Sequence, residues 1–188
     1  ATRSLFLTYN FKPGLTWNRQ TPPTDFYCYT ITFGNGSFVA INSTLKAFVS
    51  SDGIAWTGRA LPSTSFLTDI TYGLGQFLAV GYSGTVITST DTVTWTPRTS
   101  GTTQKLWQVS CRNTSPNVFV AVGDSGTVIT SPDGHAWTVQ NSGISQTLMT
   151  VGYGGNGFVT SGSNSSSDAG HIWTSPDGAG WTEQISPA

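Results

Sequence analysis

The run Gly123-Asp124-Ser125-Gly126 is the first place where residue types suggest chemistry. It matches the sequence around the nucleophile of serine proteases, whose reaction also needs a positioned histidine base and an orienting aspartate. A related run, Gly81-Tyr82-Ser83-Gly84, occupies the equivalent place of the preceding repeat. We therefore interpret both runs as hairpin turns in which glycine permits a positive φ, and we expect no nucleophile.

The sequence lacks a set of side chains suited to acid–base catalysis or metal binding. His135 and His171 are the two histidines, and neither has a cysteine or carboxylate neighbour at the spacing of metal ligands. Glu183 is the one glutamate, whereas a glycosidase needs a carboxylate pair, or a tyrosine nucleophile with an acid and several arginines. We expect no enzyme and no catalytic, cofactor-binding or metal-binding residues. The aspartates outside a repeated turn are Asp25, Asp69, Asp124 and Asp168.

Aromatic side chains favour binding as the chemistry of this chain. Trp107 and Trp173 lie outside the position at which tryptophan repeats, and Tyr82, Tyr72, Tyr153 and Tyr29 lie near turns. Sugar-binding proteins hold a glycan with an aromatic platform and a few polar groups, and they need no perturbed pKa. Of these residues, Trp107, Trp173 and Tyr82 are the candidate ligand contacts that we favour, although aromatic residues of strands more often belong to a core.

The composition bounds the class of protein. Of the 188 residues, 9% are charged, 37% are hydrophobic and 22 are glycines, a balance typical of turn-rich β proteins. The net charge is −1 and the eight basic residues are scattered, so we expect no nucleic-acid partner. We also expect no signal peptide and no membrane insertion, because no apolar run is long enough. Cys28 and Cys111 belong to repeats that are not neighbours, which favours free thiols.

Tryptophan recurs with a period of about forty residues, which is the strongest signal in the sequence. In each full unit, three short runs of β-branched and aromatic residues precede the tryptophan and a fourth run starts at it. Turns with glycine or asparagine separate these runs, so each full unit is predicted to contain four antiparallel strands. In the second unit, these are Ile70–Gly73, Phe77–Val80, Val86–Ser89 and a strand that starts at Trp95. The repeated tryptophans are Trp17, Trp56, Trp95, Trp137 and Trp181, separated by 39, 39, 42 and 44 residues.

A turn with the pattern Ser-x-Asp-x-x-x-Trp joins the last two strands of each full unit; we call it the Asp turn. The aspartate is expected to accept bonds from backbone N–H groups two or three residues on, and the tryptophan to bury a large surface. We therefore interpret these residues as structural. The four copies are Ser50, Asp52 and Trp56; Ser89, Asp91 and Trp95; Ser131, Asp133 and Trp137; and Ser175, Asp177 and Trp181.

The Asp turn resembles the Asp-box, or bacterial-neuraminidase-repeat, hairpin of propeller proteins, and the resemblance spans residues from about 30 to 185. The family pattern has one more residue between aspartate and tryptophan, so these copies are similar to a shortened variant that occurs in phage and bacterial proteins. The resemblance implies an all-β fold, a small β-propeller of about five units.

The first unit is incomplete in the sequence. Leu5-Phe6-Leu7-Thr8 and Leu15-Thr16-Trp17-Asn18 correspond only to the last two strands of a unit. We favour a single domain over 1–188 with a reduced N-terminal blade; a four-bladed propeller with an appended hairpin, or strands donated by a partner chain, are the alternatives. The units span approximately 1–20, 30–60, 69–99, 107–141 and 149–185.

Function follows less directly than fold. The expectation is a non-enzymatic structural and interaction module with protein partners in an assembly, a homo-oligomer among them. A bacteriophage virion component, in the capsid or tail, agrees with the repeat variant and the low charge. A lectin-like glycan or receptor binder is the alternative, and cytoplasmic or extracellular locations stay open.

Overall fold

The computed structural model describes residues 20, 23, 26–42, 45–155, 157–163 and 170–184. These residues form sixteen strands, with short 3-10 turns at Tyr82–Gly84 and Asp124–Gly126. The strands are β1 Cys28–Gly34, β2 Ser37–Asn42, β3 Lys46–Ser50, β4 Thr57–Ala60, β5 Leu67–Gly73, β6 Gln76–Gly81, β7 Val86–Ser89, β8 Thr96–Arg98, β9 Leu106–Arg112, β10 Val118–Gly123, β11 Val128–Ser131, β12 Thr138–Gln140, β13 Thr147–Gly154, β14 Gly157–Ser163, β15 His171–Ser175 and β16 Thr182–Gln184.

The strands pair in chain order into four antiparallel sheets of four, sheet 1 (β1–β4) to sheet 4 (β13–β16). The first strands of successive sheets, β1, β5, β9 and β13, pack against one another and are the inner strands. Sheets arranged in this way are the blades of a propeller, so the predicted all-β propeller is confirmed. The proposed N-terminal unit lies outside the described residues, and the fifth unit stays a prediction.

The apolar core lies between neighbouring sheets. Val39 and Ile41 of sheet 1 pack with Phe77 and Ile87 of sheet 2, and all four side chains are at most 1% exposed. Two further clusters repeat this arrangement between sheets 2 and 3 and between sheets 3 and 4. Because side chains alternate between the faces of a strand, each sheet presents one apolar row to its predecessor and one to its successor.

Sheet 4 differs from the others on the face that would meet a following sheet. The strand register makes Val159 the counterpart of Val120, and Ile172 the counterpart of Val128. Val120 and Val128 are 0% exposed, whereas Val159 and Ile172 are 46% and 47% exposed. We call the surface around Val159 and Ile172 the open face of sheet 4. It has the apolar pattern of a blade interface with no described sheet packed on it.

The Asp turn has the same hydrogen bonds in its four copies. In the first, Asp52 Oδ1 accepts the N–H groups of Ile54 and Ala55 at 2.8 and 2.9 Å, and the Trp56 indole donates to the Gly53 carbonyl at 3.1 Å. The serine hydroxyl oxygen of each turn also accepts a backbone N–H three residues on. The other copies are those of Ser89, Asp91 and Trp95; Ser131, Asp133 and Trp137; and Ser175, Asp177 and Trp181.

These backbone donors also set the acidity of the turn carboxyls. The N–H groups of Thr94 and Val93 lower the pKa of Asp91 from 3.8 to about 2. The corresponding N–H groups lower the pKa of Asp52, Asp133 and Asp177. Hydrogen bonds to the charged form favour it, so each turn is built around an ionised carboxylate.

Cys28 and Cys111 do not form a disulfide with each other, and both are half-buried. Desolvation by burial raises the pKa of Cys111 to about 11, so its thiol stays protonated at neutral pH. Among the described residues, there is no helix of the length and apolar character that a membrane crossing requires.

Candidate functional site

Each inner strand contains a β-bulge at the same position. The pairing register shifts between Leu67 and Asp69 in β5, and at the corresponding place in β1, β9 and β13. A bulge leaves one residue unpaired and changes the direction of its side chain. The bulged residues are Tyr29, Thr68, Trp107 and Met149.

The residues just after the bulges tie neighbouring blades together. Asp69 accepts the Thr30 hydroxyl at 2.7 Å from sheet 1 and the Val109 N–H at 3.0 Å from sheet 3. Gln108, in the same position of sheet 3, accepts the Val151 N–H of sheet 4 at 2.7 Å. Burial raises the pKa of Asp69 despite these bonds. The role of Asp69 is therefore to connect three inner strands.

Beside the bulges, sheets 1, 2 and 3 enclose an aromatic cleft with a volume of about 460 Å³. Its exposed rings are those of Tyr29, Phe66 and Tyr82, whose side chains are 61%, 53% and 42% exposed. Exposed rings of this size at one place mark a binding surface more often than scattered ones do. The side chains that define the aromatic cleft are Tyr29, Phe66, Thr68, Tyr82, Lys105 and Trp107.

Lys105 is the cation of the aromatic cleft. Its Nζ lies 2.9 Å from the centroid of the Trp107 ring and 4.1 Å from that of the Tyr82 ring. The same ammonium donates to the Tyr82 hydroxyl at 2.9 Å. Cation–π attraction to two rings fixes the position of the charge inside the cleft.

Trp107 is held in place from behind. Its indole N–H donates to Asp124 Oδ1 at 2.7 Å. Asp124 begins the 3-10 turn between β10 and β11, where Ser125 has a φ of 53°. The Gly123-Asp124-Ser125-Gly126 run is therefore a turn whose aspartate positions an indole, and it brings no histidine to the serine among the described residues.

The structure brings together two of the three candidate ligand contacts. Trp107 and Tyr82 both line the aromatic cleft. Trp173 does not join them, because it lies in the core between sheets 3 and 4 and is 4% exposed. Its ring stacks against His171, which pairs with Glu183 at 2.5 Å across β15 and β16.

Two cleft residues were not singled out by the sequence: Phe66, which adds a ring, and Lys105, which adds the charge. Both precede their strands, and no sequence pattern marks them. Tyr29 was named for its place near a turn, and it also holds the place in β1 that Trp107 holds in β9.

The aromatic cleft is formed once among the described blades. Tyr82 N–H donates to the Phe66 carbonyl, and Asp124 N–H donates to the Lys105 carbonyl, so Lys105 and Asp124 are the counterparts of Phe66 and Tyr82 one blade later. At that next position, the amine of Lys105 and the carboxylate of Asp124 stand where the rings of Phe66 and Tyr82 stand in the cleft. The cleft is thus a property of one blade junction and not of the repeat.

A larger open groove of about 760 Å³ lies beside the cleft but is a weaker candidate. Its serine hydroxyls close local turns, as Ser63 donates to the Ser65 carbonyl and Ser100 to the Thr102 carbonyl. Its cation, Arg98, donates through Nε to Thr88 at 2.9 Å. These serines and this arginine are therefore engaged within the fold. Among the described residues, no three histidine, cysteine, aspartate or glutamate side chains converge as a metal site would require.

No protein-family model and no curated protein sequence matches the chain. Solved structures are similar to it. One is described as YCF48 bound to D1 peptide, with 19% identity and a TM-score of 0.66 over 93% of this chain. Another is YCF48 from Cyanidioschyzon merolae, with 14% identity and a TM-score of 0.62 over 91% of this chain. The chain spans 60% and 63% of the length of these two structures.

A third similar structure concerns the GH130 family of mannoside phosphorylases, described as containing glycoside hydrolases that target β-1,2 mannosidic linkages in Candida mannan. It shares 13% identity and has a TM-score of 0.53 over 81% of this chain and 68% of its own. Binding proteins and enzymes thus share this architecture, and at such identities the likeness concerns fold alone. The chain has the fold of a β-propeller.

Proposed function

We propose that this chain is a non-enzymatic propeller of the Asp-box kind that binds a protein partner through the aromatic cleft. The observation that carries the proposal is the cleft itself, in which three exposed rings surround a lysine held over Trp107. Interface centres are enriched in aromatic residues, and their rings supply large contact areas at a low entropic cost.

The absence of catalysis is part of this proposal. The carboxylates of the Asp turns are bonded to their own backbone, Asp69 joins inner strands, and Asp124 holds Trp107. None of these groups is left to act as an acid or a nucleophile beside the cleft. A peptide complex of a structurally similar propeller, YCF48, supports a binding role over the hydrolase role of the GH130 relatives.

A place in a bacteriophage virion is the setting that we propose for this binding. The shortened Asp turn is similar to repeats of phage and bacterial proteins, and a chain with 9% charged residues suits a surface that packs in an assembly. Gradient-purified particles from a producing culture should contain the chain at a fixed ratio to the capsid protein, measured by quantitative mass spectrometry. Its loss from particles during purification would contradict the virion role.

A lectin is the second candidate, because an aromatic platform is also what a sugar ring needs. Small propeller lectins tend to repeat one pocket per blade, and here the cleft occurs at one described junction. Display of the purified chain in multivalent form on a peptide array and a glycan array separates the two functions. Binding confined to peptides supports a protein partner, and saturable, sugar-competed binding to glycans supports the lectin.

A further inference from the structure

We infer that the aromatic cleft binds an acidic peptide segment, in which a carboxylate side chain lies next to an aromatic or large aliphatic residue. The inference rests on the proposed function as a protein-binding propeller and names the chemistry of its partner. Three features of the cleft carry it: an ammonium with bonding capacity, exposed rings around that ammonium, and few free hydroxyls.

The ammonium of Lys105 indicates the charge of the ligand. Lys105 is half-buried, and its one described hydrogen bond goes to the Tyr82 hydroxyl. In the described part of the chain, no carboxylate lies within ion-pair distance of its Nζ; the neighbouring carboxylate, Asp124, accepts the Trp107 indole. An ammonium has three N–H donors, of which one goes to Tyr82, so bonding capacity remains for a ligand beside the Trp107 ring. A carboxylate is the acceptor that an ammonium binds best.

The rings indicate what surrounds that carboxylate. Tyr29, Phe66 and Tyr82 are more than two-fifths exposed, and Phe66 and Tyr82 meet edge to face at 5.9 Å between centroids. They form an apolar wall next to the charge, large enough for one aromatic or branched aliphatic side chain. Burial of that side chain supplies affinity, while the carboxylate supplies orientation.

The polar groups of the cleft fit a peptide better than a sugar. The Thr68 hydroxyl lies 2.6 Å from the Leu106 carbonyl and 3.2 Å from the Val80 carbonyl, and both carbonyls are acceptors for it. The Trp107 indole N–H is bonded to Asp124, and one face of its ring is covered by Lys105. A glycan needs several free donors and acceptors for its hydroxyls, and besides ring surface this cleft offers one cation and the hydroxyls of Tyr29 and Tyr82.

The test follows the indole N–H signals of the full chain by nuclear magnetic resonance, with the Trp107 signal assigned from the Trp107→Phe variant. The probe is the blocked peptide acetyl-Gly-Asp-Phe-Ala-Gly-amide, compared with twins in which asparagine replaces the aspartate or alanine replaces the phenylalanine. We expect a saturable shift of the Trp107 signal and about tenfold weaker binding of each twin. The six other indole signals report that the fold is intact.

Variants locate the interaction. Lys105→Met keeps the aliphatic stem, and it is expected to bind the aspartate peptide no better than the asparagine twin, whereas Lys105→Arg retains the preference. Tyr82→Ala weakens binding, and Tyr153→Ala is its control, since Tyr153 is 37% exposed and also contacts a phenylalanine ring, that of Phe158.

Two results with the peptide would overturn the inference: an unshifted Trp107 signal, or equal affinity of wild type and Lys105→Met for the aspartate peptide. A saturable shift with methyl β-D-glucuronide in place of the peptide would also overturn it and would assign the cleft to acidic sugars. The proposed function is tested separately, because it requires only that some peptide on the array binds, whatever the charge of that peptide. If peptides bind equally well with and without an aspartate, the acidic-peptide inference is contradicted and the proposed function is not.

Discussion

At the scale of single residues, the Asp turn shows how one carboxylate organises a hairpin. Asp133 Oδ1 accepts the N–H groups of His135 and Ala136 at 2.8 and 3.1 Å, and the Ser131 hydroxyl oxygen accepts Gly134 N–H. The tryptophan indole then closes the turn. The turn thereby satisfies backbone donors that would otherwise lack a partner.

Asp133→Ala removes the acceptor of two backbone N–H groups in this exposed turn. We expect the free energy of unfolding to fall by about 1 kcal/mol, measured by urea denaturation. Asp133→Asn keeps an acceptor oxygen and should lose less. Equal stability of the alanine variant and wild type would contradict the structural role of the turn.

The lowered pKa of the turn carboxyls gives a pH dependence. Because the folded pKa of Asp91 is about 2 and its ordinary value is 3.8, its contribution to stability is present above about pH 4 and is lost as the pH falls towards 2. Asp91→Asn should therefore lose less stability than wild type between pH 4 and pH 2, measured by thermal unfolding. Parallel losses in the two proteins would refute this origin of the acid sensitivity.

The contribution of Asp69 to stability changes with pH in the opposite direction. Burial raises its folded pKa, so its contribution favours the folded state below the unfolded value near 4 and is lost as the pH rises through the folded value. The hydrogen bonds from Thr30 and Val109 offset the cost of burying the Asp69 carboxylate, and through them Asp69 connects three blades.

The pattern of residue types predicted the backbone N–H bonds to the turn aspartates because they are local, within three residues of Asp52, Asp91, Asp133 and Asp177. It did not predict the aromatic cleft as a unit. Tyr82 and Lys105 are 23 residues apart and meet only when two blades pack. Their pairing depends on blade geometry that no local motif encodes.

At the scale of elements, the strands were predictable because their apolar runs repeat with the tryptophan period. The predicted first strand of the second unit, Ile70–Gly73, is the second half of β5, which begins at Leu67. The bulge at Thr68 breaks the alternation of side chains, and this hid the first half of each inner strand. Trp107 and Tyr29 lie at such bulges.

Close blade packing makes glycine necessary at the end of an inner strand. A Cβ at Gly73 would collide with Cys111 and approach the Phe119 ring of the next blade. Gly73→Ala is therefore expected to lower the free energy of unfolding by about 1–3 kcal/mol, measured by urea denaturation. Gly154 is its register counterpart in sheet 4 and faces open space, so Gly154→Ala is the control and should cost little. Equal effects at the two sites would contradict the packing described.

At the scale of the whole molecule, the four described sheets follow one another with similar interfaces, and sheet 4 ends the series with its open face. The tryptophan period predicted this serial architecture well. The number of blades was harder to predict, because it depends on how the first and last units meet, and the sequence motif is local to each unit. The predicted fifth unit over 1–20 lies outside the described residues.

The open face of sheet 4 can be probed by one substitution made at two equivalent positions. Val120→Asp buries a charge between sheets 3 and 4 and is expected to cost more than about 3 kcal/mol of unfolding free energy. Val159→Asp changes a side chain that is 46% exposed, and with no further unit packed on this face it should stay within about 0.5 kcal/mol of wild type. A large loss for Val159→Asp would show that a further segment packs on this face.

The central claim is that the aromatic cleft is where a protein partner binds, and site-specific photo-cross-linking tests it most directly. A benzophenone amino acid would replace Tyr82 in the cleft or, as the control, Tyr153 at a distant exposed position, and purified particles would be irradiated. The account predicts a discrete protein adduct from the Tyr82 position and none from the Tyr153 position. Equal adducts at both positions, or an adduct from Tyr153 alone, would contradict it.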